Sequence, residues 1–240
     1  MTERVALITG GSAGIGLATA EQLAAEGWRV VLAARRQDRL DQARERLGDH
    51  ATTLRVDLSD TAAVRAMVRD AIRSFGRLDA LVNNAGLAPL KPIDETDDAT
   101  LEAAYRVNAL APAAAISEAW PTLKAQRSGV VVNVSTVGTD DPFPGFFAYA
   151  ASKAAVNLMA RSAANEGAEF GIRAFSVAPG AVETAMLRGL FSTDIIPEHD
   201  ALAPADVARV IVDCIEGRRD QDNGSTIRVE RQAPPSGAER

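Results

Sequence analysis

Tyr149 and Lys153 stand four residues apart in the run Tyr-Ala-Ala-Ser-Lys. On a helix, such a pair shares one face. A phenol is a poor acid or base at neutral pH, because its unperturbed pKa lies near ~10. A neighbouring ammonium stabilises the phenolate and lowers that pKa. The pair therefore suits protonation of a carbonyl oxygen or deprotonation of an alcohol. The bland alternative is two residues on a surface helix. Of the two tyrosines in the chain, the other, Tyr105, is followed four residues on by Ala109, which has no such chemistry.

A second concentration of unusual residues is Thr9-Gly10-Gly11-Ser12-Ala13-Gly14-Ile15-Gly16, which follows an apolar run and precedes an amphipathic one. Glycines let a backbone turn tightly and approach a ligand closely. The free N–H groups and dipole at a helix start favour an anion such as pyrophosphate. The alternative without a ligand is a glycine-rich turn. The spacing is T-G-x-x-x-G-x-G rather than G-x-G-x-x-G, because position 19 is Thr19. Gly10 to Gly14 also satisfies G-x-S-x-G, the nucleophile elbow of serine hydrolases. In that reading Ser12 needs a histidine, and only His50 and His199 exist.

Downstream, the second apolar run ends in Leu32-Ala33-Ala34-Arg35-Arg36, with no carboxylate. An acidic residue there usually binds ribose hydroxyls. A guanidinium there, permanently charged and donating in a fork, suits a 2′-phosphate. NADP(H) is thus expected in preference to NAD(H), although Arg35 and Arg36 could simply open a solvated helix. Asp57 is placed to accept from an adenine amino group, or else to cap the following helix.

These residues need strands and helices to hold them. Strands are expected at Val5–Thr9, Arg29–Ala34, 54–56, 78–83, 130–135, 173–178 and 226–230. Helices are expected at 15–26, Gln37–Leu47, 62–75, 101–126, 147–170 and 202–216, with Pro112 and Pro121 kinking or dividing the fourth. Strand–helix alternation with continuously apolar strands implies a doubly wound, mostly parallel sheet of about seven strands, covered on both faces. Ligands bind such sheets at the carboxyl ends of the strands, where the candidate residues fall. Residues 1–232 read as one α/β domain of Rossmann type, 184–203 as a substrate lid and 233–240 as a disordered tail.

The bulk properties agree. The 240 residues are 47% hydrophobic, enough for one large core, and the net charge of −6 argues against a nucleic-acid binder. No run approaches the ~18 apolar residues of a membrane span, and Cys214, the single cysteine, fits a reducing compartment. The expected location is the cytoplasm. Cys214 reads as a core residue, the run 94–98 as a solvated acidic loop, and no Cys/His cluster suggests a metal.

The glycine loop, Asn83-Asn84-Ala85-Gly86, Asn108, Tyr149 to Lys153, and Pro179-Gly180 occur in one order at strand ends. Together they resemble the short-chain dehydrogenase/reductase family, closely over about 4–184 and more loosely beyond. The resemblance implies an oxidoreductase that moves a hydride between nicotinamide and a carbonyl or alcohol carbon. Tyr149 would be the acid in reduction and the base in oxidation. Lys153 would lower the tyrosine pKa and hold the nicotinamide ribose, and Asn108 would bend its helix and hold a relay water. The nucleotide would lie against Gly10, Ser12, Ala13, Gly14, Ile15 and Gly16, then Arg35, Arg36, Asp57 and Leu58. It would continue along Asn84, Ala85, Gly86, Tyr149, Lys153, Pro179, Gly180 and Val182, with Thr184 on the carboxamide.

The family also places a serine after the fifth strand to polarise the substrate oxygen. Here the run is Asn133-Val134-Ser135-Thr136-Val137-Gly138. Counting from Tyr149 or Asn133 aligns Thr136, whereas counting from Gly138 favours Ser135; Thr136 is the preferred assignment. Threonine keeps the donor but adds a methyl and a stiffer χ1, which leaves room for a protein that binds the nucleotide without turnover. Phe143, Phe146 and Phe147 on one segment, with Met186, Leu187, Leu190, Phe191, Ile195 and Ile196 on the other, predict a largely apolar substrate pocket. The expected partners are a small carbonyl or alcohol compound and, by resemblance, further copies of the chain in a homodimer or homotetramer.

Overall fold

Val5–Thr9 (β1) is buried along its whole length, and consecutive residues feed opposite faces of the sheet. Ala6 and Ile8 enter one hydrophobic layer, Val5 and Leu7 the other, as the two-residue period of a strand requires. The computed structural model describes residues 3–231; residues 1–2 and 232–240, including the tail expected at 233–240, lie outside the described residues. After β1 come the helix Gly14–Ala25 (α1), Arg29–Ala34 (β2), Gln37–Leu47 (α2), Ala51–Arg55 (β3), Thr61–Phe75 (α3) and Ala80–Asn83 (β4). Asp97 caps Asp98–Tyr105 (α4) by accepting from the Thr100 N–H. Ala111–Gln126 (α5), Gly129–Val134 (β5), Phe147–Gly167 (α6), Ile172–Pro179 (β6), Ala185–Leu190 (α7), Pro204–Ile215 (α8) and Thr226–Val229 (β7) complete the chain.

The seven strands form one parallel sheet in the order β3-β2-β1-β4-β5-β6-β7. The domain is thus single and α/β, as the sequence predicts. Helices α1, α2 and α8 cover one face through Leu23, Leu40, Val207 and Ile211. Helices α3, α5 and α6 cover the other through Val64, Val68, Leu123 and Ala160. The direction of winding reverses between β1 and β4, so their carboxyl ends border the crevice in which such sheets bind ligands.

The boundaries differ from expectation in informative places. Strand β3 begins at Ala51, because Thr52 and Thr53 pair with Val31 and Leu32 despite their polarity. Strand β4 loses Leu78 and Asp79; the Asp79 carboxylate instead accepts from the Val5 N–H and from Arg77. The long helical zone is divided by neither proline. It is divided by a π-helical turn, Arg106–Leu110, centred on Asn108. Pro112 then sits in the first turn of α5, where a missing N–H costs little, and α5 runs through Pro121. The lid carries a six-residue helix, α7, too short for a periodicity to reveal. Among the described residues, no helix is long and apolar enough to cross a membrane.

Candidate active site

The turn after β1 is braced from β4. The Thr9 hydroxyl accepts from the backbone N–H groups of Asn84 and Ala85, and the Asn84 amide donates to the carbonyls of Thr9 and Gly10. That brace leaves no room for side chains in the loop. A Cβ on Gly16 would lie 2.5 Å from both Asn84 Nδ2 and the Gly10 carbonyl oxygen. Gly10 and Gly14 also have φ of +66° and +54°, a region that L side chains rarely adopt. Ala13 caps α1 without a side-chain hydrogen bond, so the first amides of the helix face the crevice with no capping oxygen of their own. Ser12, Gly14 and Ile15 are half-buried and Ala13 is exposed beside them. A bound dinucleotide fits this loop: backbone donors at a helix start, with Cβ atoms excluded where a phosphate would approach.

Around Tyr149 the structure brings four elements together. The Thr136 hydroxyl, just past β5, lies against the Tyr149 phenol and holds its pKa down, and it accepts from the Gly138 N–H at 3.2 Å. Ser135 turns the other way, buried against the Lys153 carbonyl at 3.5 Å. Lys153 is 4% exposed, and its ammonium donates to the Val134 carbonyl at 2.7 Å. The Asn108 side chain donates to the Leu87 carbonyl and the Ser152 hydroxyl and accepts from the Leu87 N–H. Ser152 in turn donates to the Tyr149 carbonyl at 2.8 Å. Ser152 and Thr9 carry much of this scaffold, although sequence reasoning assigned neither a role. Gly86 lies against the same group, with its absent Cβ 3.2 Å from Lys153 Nζ.

The electrostatics differ from the sequence expectation. Burial pushes the Tyr149 phenol up to about 12, and the Thr136 hydrogen bond only partly opposes it. Lys153 is pushed down to about 8 by burial alone. The expected lowering of the phenol by the ammonium is absent; desolvation prevails, and the ammonium is turned towards Val134.

At the far side of the crevice, Arg35 and Arg36 are exposed and have no ion pair among the described residues. Asp57 does not cap a helix, since Asp60 caps α3 instead. Its carboxyl is held below the usual range first by the Ser59 backbone N–H, then by the Ser59 hydroxyl, with Arg35 nearby adding to the effect. Leu58 is buried in the core, so only its backbone can face the crevice. Pro179 ends β6, Gly180 bonds to Val229 of β7, and Val182 bridges to Leu202 at the base of the lid. The Thr184 hydroxyl caps α7 through the Leu187 N–H, and its methyl lies 3.2 Å from where a Gly14 Cβ would sit. The start of the lid thus packs against the glycine loop.

Of the expected apolar walls, Phe143, Phe146 and Phe191 gather near Tyr149, whereas Phe147, Met186 and Ile195 are exposed. Phe146 packs edge-on to Tyr149 at 5.1 Å, to Phe143 at 6.0 Å and to Phe191 of the lid at 6.3 Å. The hydrolase alternative has no support. His50 bonds the Trp28 carbonyl, and both residues precede strands, so they lie at the opposite end of the sheet from Ser12. His199 is exposed and lies against Asp200. Ser12 has no base.

A family model described as short chain dehydrogenase matches residues 4–194. A cis-4-hydroxycyclohexanecarboxylate dehydrogenase of Sinomonas cyclohexanicum is 38% identical over 191 residues, covering 78% of this chain and 77% of that protein. An uncharacterised oxidoreductase of Staphylococcus saprophyticus is 32% identical over 87% of this chain and 88% of its own. Among solved structures, a 3-ketoacyl-(acyl-carrier-protein) reductase from Brucella melitensis complexed with NADH superposes with a TM-score of 0.89 at 28% identity, covering 96% and 98% of the two chains. A levodione reductase gives the same TM-score at 27% identity, covering 96% and 97%.

Proposed function

The chain belongs to the short-chain dehydrogenase/reductase family of oxidoreductases, and from that premise we propose that it is an NADP(H)-dependent carbonyl reductase or alcohol dehydrogenase working through Tyr149 and Lys153. The observation that carries this reading is the meeting of the Tyr149 phenol and the Thr136 hydroxyl beside the buried Lys153, at the strand ends that border the glycine loop. The dinucleotide would be held by the amides at the start of α1, by Arg35 and Arg36, and by the segment from Pro179 to Thr184; when bound it supplies or accepts the hydride.

The protein's own groups handle the proton and the oxygen. With its pKa pushed up to about 12, Tyr149 is a neutral phenol at physiological pH and can donate to a carbonyl oxygen as the carbon is reduced. Thr136 donates to the same oxygen and stabilises the charge developing there. Lys153 is still an ammonium below pH 8. Exchanging its bond to Val134 for a ribose hydroxyl would orient the nucleotide beside the phenol. The Asn108 side chain is fully committed to Leu87 and Ser152, so a relay water would rest on its main chain.

Arg35 supports the phosphorylated nucleotide, although the Brucella relative is seen with NADH; NAD(H) is the alternative cofactor. The Phe143, Phe146 and Phe191 cluster supports a small carbonyl or alcohol with apolar parts. Buried Cys214, its thiol raised to about 12, fits a cytoplasmic protein. The exposed Tyr105, Leu110 and Leu158 on α4, the π turn and α6 support assembly into a homodimer or homotetramer.

The experiment follows NADPH oxidation at 340 nm (an assay wavelength) across a panel of carbonyl compounds, with wild type and Tyr149→Phe. Turnover that falls ~10²–10⁴-fold in the variant while NADPH binding persists is the expected result. Full activity in the variant would overturn the mechanism. NADPH binding with no turnover of any carbonyl would favour a nucleotide-binding sensor.

A further inference from the structure

The proposed 2′-phosphate preference raises a question of charge. A phosphate monoester is close to a dianion at neutral pH, and one guanidinium neutralises half of it. The adjacent Arg36 is the obvious second cation from sequence, but its backbone is extended, with φ −93° and ψ 114°. Neighbouring side chains in an extended stretch point to opposite sides. Arg36 is exposed at the boundary of α2, one residue farther from the strand end than Arg35.

The register of the sheet brings in another arginine. Strand β3 lies beside β2 in parallel, and Arg55 pairs with Ala34, the residue immediately before Arg35. Neighbouring strands run about 4.8 Å apart, so Arg55 emerges next to the β2–α2 turn. Its Nε donates to the Arg35 carbonyl at 3.3 Å. That bond fixes the side chain at the turn and leaves both terminal nitrogens without an ion pair among the described residues. Asp57 is the carboxylate that senses Arg35, and its Oδ1 is already bound by Ser59. Arg35 and Arg55 thus stand at the ends of adjacent strands, joined through the Arg35 carbonyl and without an ion pair among the described residues. Elsewhere on this surface arginines are commonly paired, as Arg173 is with Asp220 and Arg188 with Glu183.

We propose that Arg55 is a specificity-determining residue, which together with Arg35 forms a two-guanidinium clamp for the 2′-phosphate of an adenosine phosphate. The inference rests on the NADP(H) reading above and names the residue that completes it. The clamp joins two strands, so it depends on the β2–β3 register and not on any local motif. Prior anchoring of Arg55 through Nε lowers the entropy lost on binding, and a fork donates two hydrogen bonds where an ammonium gives a point charge.

Calorimetric titration with 2′,5′-ADP and with 5′-AMP separates the phosphate from the rest of the nucleotide. Arg55→Ala should weaken 2′,5′-ADP at least tenfold, about 1.4 kcal/mol, and leave 5′-AMP within about twofold. Arg55→Lys should recover part of the loss. The Arg55 variants should melt like wild type, because the side chain is exposed and its one hydrogen bond is to a carbonyl at the surface. An unchanged affinity ratio in Arg55→Ala would overturn the clamp while the wild-type preference for 2′,5′-ADP stood. Equal binding of the two nucleotides by wild type would overturn the NADP(H) reading itself, and the clamp with it.

Discussion

Replacing Thr136 and Ser135 one at a time tests the site most directly, because the two hydroxyls are adjacent in sequence and face different ways. Thr136 meets the Tyr149 phenol, while Ser135 points into the protein towards the Lys153 carbonyl. Removing a donor aimed at a developing oxyanion costs about 10²–10³ in kcat, or ~2.7–4 kcal/mol. Thr136→Ala should show that loss. It also removes the acceptor for the Gly138 N–H at 3.2 Å, a bond worth ~1 kcal/mol. In a domain of this size that is about 2–4 °C in Tm. Thr136→Ser keeps the donor and drops a methyl, so kcat should stay within about threefold of wild type. Ser135→Ala removes a contact of 3.5 Å, at the outer limit of a hydrogen bond. It should therefore leave kcat within about threefold and shift Tm by no more than about 2–4 °C. The assay is steady-state NADPH oxidation with one accepted carbonyl, read beside a thermal melt. A hundredfold loss of kcat in Ser135→Ala with activity kept in Thr136→Ala would refute the assignment.

Further outcomes follow from burial and close packing. Lys153 is held at about 8 against an ordinary 10.5, so the folded chain gives up this proton before the unfolded chain does. Below pH 8 both states are protonated and the full penalty is present, on the order of 3 kcal/mol. From pH 8 to 10.5 the unfolded state binds more protons, and this contribution to stability rises with pH. Tyr149 and Cys214, both raised to about 12, act in the opposite direction above their ordinary values. The readout is therefore the difference in denaturant midpoint between wild type and Lys153→Met; if that difference is flat across the window, the account of Lys153 fails. Gly16→Ala should destabilise by ~1–3 kcal/mol and weaken NADPH binding, since the new methyl would lie 2.5 Å from Asn84 Nδ2 and the Gly10 oxygen. Gly189→Ala, in α7 with open space around it, should leave the melt unchanged or raise stability by up to ~1 kcal/mol. A Gly16→Ala protein that melts and binds like wild type would show that the brace from Asn84 is soft.

The sequence alone determined what depends on local pattern. Continuous apolar runs ending in glycine or a polar residue marked strands buried on both faces, and the 3.6-residue period marked the helices against them. That fixed the doubly wound sheet and put Gly10 to Gly16, Asn84, Tyr149 and Thr184 at its carboxyl edge. Thr136 was favoured over Ser135 by counting from Tyr149 and Asn133 against the family's pattern. What the tertiary structure decided was everything that depends on neighbours distant in sequence. The bend at Asn108 is a π turn, because its side chain is drawn to Leu87 and Ser152, a preference no propensity of Asn, Pro112 or Pro121 contains. The Tyr149 phenol is raised and not lowered, because burial depends on the elements packed over it, while sequence spacing shows only that Lys153 shares its helix face. Thr9 and Ser152 became scaffold through bonds to β4 and the π turn. Arg55 reached Arg35 only through the register of β3 on β2, which is set by the packing of the whole sheet and is written in no single segment.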